Sequence, residues 1–149
     1  MGRRRIKILS IFDKIKLFYR LDRKIDELKI LNAKLLELEN IKNAEQISKD
    51  ITLSEFSCYS QWGDDGIISF LVEYLRLNKK FFVEFGVEDY TESNTRYLPK
   101  TKNWSGLVFD GSKNNIDFIQ RDQIYWRHDL TAKCAFITRE NIQTLIEEI

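Results

Sequence analysis

The sequence has few of the residues on which metal and disulfide chemistry depend. It contains one histidine, His128, and two cysteines, Cys58 and Cys134, which lie far apart along the 149 residues. A single histidine excludes multi-histidine metal sites. Two distant cysteines argue against both a disulfide framework and a zinc site. Free thiols in a reducing compartment are the simplest interpretation, and no metal ligand set is expected.

Long apolar runs and a strong charge of one sign are also absent. No stretch approaches the roughly 18 consecutive apolar residues of a membrane-spanning helix. The basic start, residues 1–18, makes a poor signal peptide because Asp13, Lys14 and Lys16 interrupt its apolar part. We therefore expect a cytoplasmic protein. The net charge of +1 gives no indication of a nucleic-acid partner.

The first third of the chain lacks proline, and Gly2 is its only glycine. This composition and the apolar spacing predict a helical arm, residues 1–50, helical to about residue 47 and followed by a polar hinge. Apolar residues fall on heptad positions a and d: Ile11, Phe18, Leu21, Ile25, Leu28 and Leu35. Asn32 at an a position is typical of two-stranded coiled coils. Residues 11–42 therefore predict self-association, with a helix folded onto its own domain as the alternative.

A second hypothesis concerns the basic start of this arm. Arg3, Arg4 and Arg5 are followed by apolar residues interleaved with lysines, a pattern that favours an anionic membrane surface over nucleic acid. A weak membrane-surface contact is one interpretation of this segment. The other is a charged face exposed to water.

Residues 54–149 alternate between helical and strand patterns. Two apolar runs, Phe81–Phe85 and Ser105–Phe109, predict strands buried on both faces. A third strand is predicted at Ile124–Trp126, with a continuation after Asp129. Helices are predicted at residues 66–77, 93–98, 114–120 and 138–149, the last with Thr138 as its N-cap. This order predicts an α/β fold with about three parallel strands and flanking helices.

Acidic residues follow each predicted strand. Glu84 closes the first strand and Gly86 opens the turn after it, where the absence of a Cβ leaves room for a ligand. Three further acids in this turn, Glu88, Asp89 and Glu92, would repel a pyrophosphate. Asp110 follows the second strand directly and lies 24 residues after Gly86. An acid about 20 residues past the glycine turn is placed to accept hydrogen bonds from ribose hydroxyls.

Asp129, expected to follow the third strand, would accept a hydrogen bond from an exocyclic amine. The acids at these strand ends match a ligand that carries a ribose, an adenine amine, an ammonium and a sulfonium. S-adenosylmethionine carries all four groups, so it is favoured over a dinucleotide. The missing G-x-G-x-x-G pattern also disfavours dinucleotide binding for hydride transfer. The alternative for each acid is a solvated turn residue or a helix N-cap.

Four segments in this order resemble bacterial FkbM-like S-adenosylmethionine-dependent methyltransferases: YSQWGDDGII, FVEFGVEDYTESNT, NWSGLVFDGS and FITRENIQTLI. The resemblance covers about Tyr59 to Ile149. It implies a partial Rossmann-like class I methyltransferase sheet, preceded here by the long N-terminal helix. The cofactor-binding residues that it implies are Glu84 and Gly86 in the cofactor turn, Ser93 and Asn94 at the next helix, Asp110 on the ribose, and Gln61 and Asp64 at the amino-acid end.

Two features depart from the family pattern. Tyr90 stands where the family usually has a second glycine, so a different backbone angle or a wider turn is expected. The chain also stops at Ile149, before the family's fourth strand, so we expect residues 54–149 to be the N-terminal half of such a domain and the chain to be truncated.

The resulting functional expectation is an S-adenosylmethionine-binding, methyltransferase-like protein whose intact relatives act on a glycan or a secondary metabolite. Whether the chain is itself an enzyme stays open at this point, and no residue is assigned as catalytic. The alternative is an inactive remnant that acts as an oligomerisation or membrane-surface interaction module.

Overall fold

A computed structural model describes residues 10–147 of the chain. Its first element, α1, is a 32-residue helix at Ile11–Lys42. A capping box starts it: the Ser10 hydroxyl accepts from the Asp13 backbone N–H, and the Asp13 carboxylate accepts from the Ser10 N–H. A break at Asn43 separates α1 from the short α2, Ala44–Ile47. The predicted long helix is thus confirmed from residue 11, whereas the basic start at residues 1–9 lies outside the described residues.

The sheet has three parallel strands in the order β1-β2-β3: β1 is Phe81–Phe85, β2 is Ser105–Asp110 and β3 is Leu130–Cys134. In register, Phe85 lies beside Phe109, and Asp110 lies beside Cys134. The predicted α/β fold, with a three-stranded parallel sheet after a long helix, is confirmed.

Helices connect and flank the strands. A short 3₁₀ helix, Ile51–Ser54, precedes α3 at Asp64–Tyr74. The remaining helices are α4 at Tyr97–Lys102, α5 at Lys113–Arg121, α6 at Gln123–Arg127 and α7 at Ile142–Glu147. The core between sheet and helices is apolar and includes Phe82, Leu98, Val108, Ile119 and Leu130. This packing fixes the strand ends relative to the helices that follow them.

Three local predictions are wrong. Phe81 and Phe85, at the two ends of β1, are 39% and 40% exposed rather than buried on both faces. Ile124–Trp126 belongs to the helix α6, because the Asp122 carboxylate accepts from the Ile124 N–H and starts a helical turn there. The helix predicted at residues 93–98 begins later, as α4, whose first turn includes Pro99.

The C-terminal half of α1 packs against the rest of the molecule. Ala33 is buried beside Phe56, Tyr59 and Tyr97. The Asn40 side-chain amide donates to the Ser54 carbonyl at 3.0 Å. Ion pairs at 2.8 Å join Asp26 to Lys100 and Glu37 to Lys102. The interpretation of a helix folded onto its own domain is therefore correct for residues 26–40.

Candidate functional site

The carboxyl ends of all three strands open onto one hollow of about 520 Å³. Its described lining comes from the segments that leave β1, β2 and β3: Phe85, Gly86, Asp110, Gly111, Ser112, Ala135, Phe136 and Ile137. This is the edge of an open parallel sheet where ligands bind in α/β proteins. The volume lies within the range of small-molecule pockets. We call it the strand-end hollow.

Gly86 shapes the rim of the strand-end hollow. Its φ of +68° is in the left-handed region that favours glycine, and its N–H donates to the Phe109 carbonyl at 2.8 Å. A Cβ at this position would meet no atom within 4 Å. The glycine therefore serves the turn conformation, and the space in front of it is open to a ligand.

Asp110 ends the central strand, lines the hollow and is 8% exposed. Its Oδ1 accepts from the Ser112 N–H at 2.8 Å and from the Asn115 amide at 3.0 Å, and its Oδ2 accepts from the Glu88 N–H at 2.9 Å. A carboxylate offers about four acceptor positions. Three are used by these groups, which leaves one on Oδ2. Asp110 thus holds the loop after β1 and keeps capacity for a ligand hydroxyl.

Aromatic rings form the apolar walls of the hollow. The Phe136 side chain is 78% exposed, and a Cβ placed on Gly111 would come within 2.6 Å of its ring carbons. The ring therefore lies directly over Gly111, and a side chain at position 111 would displace it. Sequence reasoning missed Phe136 and Ala135 because it placed the third strand too early. Both residues follow β3 directly, so a correct strand boundary would have identified them.

Glu84 lies outside the described lining of the hollow. Its Oε1 accepts from the Asn94 N–H at 3.0 Å, and its Oε2 accepts from the Thr95 N–H at 3.1 Å and from the Thr95 hydroxyl. The carboxylate is thereby engaged in holding the chain before α4. The expectation that Glu84 and Asp110 converge on one ligand is not met: Glu84 supports the loop, and Asp110 faces the hollow.

Tyr90 keeps the backbone conformation that a glycine would take. Its φ is +63°, its side chain is fully buried, and its hydroxyl lies 3.0 Å from the Thr95 hydroxyl. The expectation of a different backbone angle at this residue is therefore wrong. Burial of the ring compensates for the steric cost of a left-handed tyrosine, which is of order 1–3 kcal/mol. The side chain anchors the loop after β1 in the core.

Asp129 is on the wrong edge of the sheet for the predicted role. It precedes β3, and its carbonyl accepts from the Gly106 N–H at 2.9 Å near the amino ends of the strands. The prediction that it follows the third strand fails because that strand begins at Leu130. The first residues after β3, Ala135, Phe136 and Ile137, bring no carboxylate.

Four other predicted cofactor residues also lie outside the described lining of the hollow. The Ser93 N–H donates to the Tyr59 carbonyl at 3.1 Å, and the Asn94 N–H is held by Glu84. Asp64 begins α3. Gln61 lines a second, larger hollow of about 1790 Å³ that runs between α1 and the helices α5 and α6. The segment predicted to cover the ligand therefore faces α1 instead.

The neighbour of Asp64 has the structural role in this segment. Asp65 is 1% exposed, and its Oδ2 accepts from the backbone N–H groups of Cys58, Tyr59 and Ser60 at 2.7, 2.6 and 2.8 Å. The Ser60 hydroxyl also donates to this oxygen. The carboxylate thus fixes the turn that carries Tyr59 and Gln61.

One buried ion pair lies in the second hollow. The Arg96 guanidinium lies 2.9 Å from the Asp122 carboxylate. Burial by itself would raise the pKa of Asp122, but the Ile124 N–H and Arg96 outweigh it, and the pKa is lowered from 3.8. Burial, Lys100 and Arg127 lower the pKa of His128 from 6.5. His128 is therefore neutral at pH 7, which fits a packing role.

Acid should weaken the fold through Asp122. Because its folded-state pKa is depressed, its stabilisation is complete above pH 3.8 and is lost as the pH falls through the lower native value. The conservative variant Asp122→Asn keeps an acceptor for the Ile124 N–H but loses the ion pair. We expect it to reduce the free energy of unfolding at pH 7 by about 1–3 kcal/mol.

Urea unfolding from pH 7 to pH 2 tests this prediction. The difference between wild type and variant should shrink below pH 3.8. Equal stability of the two proteins at pH 7, or a constant difference down to pH 2, would contradict the assigned ion pair. Asp117→Asn, which removes the exposed pair with Lys113, is the control, with an expected effect within about 0.5 kcal/mol.

Comparisons of the chain with protein-family models, curated proteins and solved structures found no match. Among the helices between residues 10 and 147, none is long and apolar enough to cross a bilayer. Within the same residues, no group of three or more histidine, cysteine, aspartate or glutamate side chains is placed to hold a metal ion. The cytoplasmic location predicted above stays a prediction.

Proposed function

We propose that the chain binds S-adenosylmethionine in the strand-end hollow, as the N-terminal half of a methyltransferase-like Rossmann domain. The proposal rests above all on Asp110. This carboxylate ends the central strand, lines the hollow and keeps one acceptor position on Oδ2. It is also the residue for which the strand pattern and the resemblance predict a contact with the ribose.

The other walls of the hollow suit a nucleoside. Phe85 and Phe136 supply apolar surface for a purine, and base–aromatic stacking contributes about 1–3 kcal/mol per base. The open space at Gly86 admits the sugar or the sulfonium end close to the backbone. Asp110 is the single carboxylate among the described lining residues. Its negative charge disfavours a pyrophosphate and favours a ribose hydroxyl or a cationic methyl donor.

Methyl transfer would then depend mainly on position. A bound donor reacts when its methyl group is held in line with a nucleophilic oxygen or nitrogen of the acceptor. A glycan or a secondary metabolite is the acceptor class that the resemblance implies. None of the described residues that line the hollow is assigned as a general base, so the proposal for this chain is donor binding.

Calorimetric titration with S-adenosylmethionine and with S-adenosylhomocysteine tests the proposal. We expect saturable heat from one site, and we expect the Ala135→Trp variant to lose it because the indole fills the hollow. Thr144→Trp places the same side chain at an exposed position of α7 and should bind normally. A folded wild-type chain that gives no heat at millimolar ligand would refute the proposal. Normal binding by Ala135→Trp would place the ligand elsewhere.

A second candidate function, an interaction module, is favoured by α1. Its large apolar side chains are exposed along most of its length, including Phe18 and Leu28 at 72% and 60%. Exposed apolar surface of this extent marks interaction sites. This function does not compete with donor binding, because the two use different parts of the chain.

A further inference from the structure

Apolar residues occupy six of the eight a and d positions of α1 between residues 11 and 35, Lys14 and Asn32 being the other two, and they form a stripe that the rest of the molecule leaves open. Its members are all more than half exposed: Ile11, Phe18, Leu21, Ile25, Leu28 and Leu35. At 1.5 Å per residue, the stripe from residue 11 to residue 35 is about 36 Å long. We call it the a/d stripe. Exposed apolar surface of this length marks an interaction site.

The domain occupies the other side of the same helix. Its contacts with α1 come from a row of residues seven apart, Asp26, Ala33 and Asn40, and from Glu37. At about 100° per residue, this row lies roughly 130° around the helix axis from the middle of the a/d stripe. The domain therefore packs on the side of α1 away from the a/d stripe and leaves the a/d stripe exposed.

The spacing of the a/d stripe fits another helix. From Phe18 to Leu35 the a and d positions alternate at intervals of three and four, a mean period of 3.5 that keeps a seam facing a partner helix, and five of these six positions are apolar. Asn32 is the one polar residue among the a and d positions from Phe18 to Leu35. The polar side of α1 carries Lys16, Arg20, Arg23 and Lys34, as an interfacial lipid-binding helix would, so the 3.5-residue period and the flanking pairs below are what favour a second helix.

Charges beside the a/d stripe distinguish the two possible orientations. In a parallel, in-register pair, Lys24 of each copy would lie opposite Lys29 of the other. The symmetry gives two such lysine pairs, and both are repulsive. In an antiparallel pair with Ile25 facing Leu28 of the second copy, Asp22 lies opposite Lys29, again twice. The same register places Leu17 against Leu38 and Ile15 against Leu36. These flanking pairs are favourable, and the remaining one, Lys24 opposite Leu31, brings no like charges together, so charge and apolar complementarity favour the antiparallel arrangement.

We propose that α1 pairs with α1 of a second copy of this chain in an antiparallel, two-stranded coiled coil through the a/d stripe, with Ile25 facing Leu28. Because each domain packs on residues 26–40, this arrangement puts the domains at opposite ends of the pair. It also brings the N-terminal half of each α1 alongside the other copy's domain. Phe12 and Tyr19, which are 73% and 72% exposed, lie in that half of the helix. They belong to the same row of residues spaced seven apart as Ala33 and Asn40, which are buried.

Sedimentation equilibrium of the full chain tests the pairing. We expect a mass of about twice the 17.8 kDa chain and expect Leu21→Glu/Leu28→Glu to give a monomer with unchanged helical content. The control Lys16→Gln/Lys34→Gln makes the same charge change at exposed positions outside the seam and should stay dimeric. A wild-type chain that is monomeric at about 100 µM, roughly 100-fold above a typical micromolar dissociation constant, would overturn the proposal. A dimeric glutamate variant would also overturn it.

Cross-linking with a short bis-maleimide tests the orientation. In a Cys134→Ser background, a mixture of the Phe18→Cys and Leu35→Cys chains should cross-link, because these positions face each other in the proposed register. Phe18→Cys alone should not, because its two copies lie about 25 Å apart. Efficient cross-linking of Phe18→Cys with itself would mean a parallel pair. Binding of a monomeric chain to anionic vesicles, with no dimer in solution, would assign the stripe to lipid and overturn the proposal.

Discussion

The Asp65→Ala variant should lose about 3–5 kcal/mol of unfolding free energy, a large part of the 5–15 kcal/mol typical of a domain. The wild-type carboxylate is 1% exposed and accepts from three consecutive backbone N–H groups, those of Cys58, Tyr59 and Ser60. Removing it leaves these donors buried without an acceptor. Urea denaturation followed by circular dichroism measures the loss.

The adjacent aspartate provides the matched control for this prediction. Asp64 begins α3 at a half-buried position, and its contribution as an acidic residue of the first turn should not exceed about 1 kcal/mol. Asp64→Ala should therefore unfold close to wild type. Equal and small losses in the two variants would show that the turn at residues 58–60 does not depend on the buried carboxylate.

The Asp110→Ala variant should bind S-adenosylhomocysteine between about 10-fold and 100-fold more weakly than wild type, the range for losing hydrogen bonds to a charged acceptor. Two effects combine. The acceptor position for the ribose is lost, and the Glu88 N–H loses the oxygen that holds the loop after β1. Calorimetry gives the affinities, and circular dichroism verifies that the variant is folded.

Two controls separate the roles of Asp110. Asp129→Ala removes an aspartate at the opposite edge of the sheet and should leave the affinity unchanged. Asn115→Ala removes one donor to Oδ1 but leaves the ligand-facing position on Oδ2, so it should weaken binding less than fivefold. An affinity of Asp110→Ala equal to wild type would end the assignment of this residue to the ribose.

Strong apolar runs made much of the fold predictable. SGLVF at the start of β2 is buried from Gly106 onward and was identified from its composition. β3 was misplaced because Leu130–Cys134 alternates between buried and exposed side chains and offers no such run. The preceding segment, Ile124–Trp126, has the aromatic and β-branched residues of a strand, but the cap provided by Asp122 makes it helical.

Residues of the candidate site could be predicted only where the residue type has a single common role at that position in the fold. Gly86 and Asp110 were identified because a glycine and a carboxylate at adjacent strand ends predict a ligand turn. The role of Glu84 could not be foreseen, since a carboxylate that caps a loop has the same sequence signature as one that binds a ligand. The contribution of Asp65 depends on three backbone groups, which leave no trace in the sequence.

The side of α1 that meets the domain was also hidden from sequence reasoning. Its contacts use Asp26, Glu37 and Asn40 through hydrogen bonds and ion pairs, and such residues normally indicate a solvated helix face. The apolar side, by contrast, was predicted from its heptads. Buried polar contacts on one side and exposed apolar residues on the other reverse the usual arrangement, which is why pairing with a second copy is proposed.

Residue-resolved nuclear magnetic resonance is the most direct test of donor binding. Titration of the isotope-labelled chain with S-adenosylhomocysteine should shift the amide signals of Gly86, Gly111 and Phe136, and should leave those of Gln61 and Arg127 in the second hollow unchanged. No shifts at saturating ligand, or shifts confined to the second hollow, would contradict the assignment of the strand-end hollow to a nucleoside-bearing methyl donor.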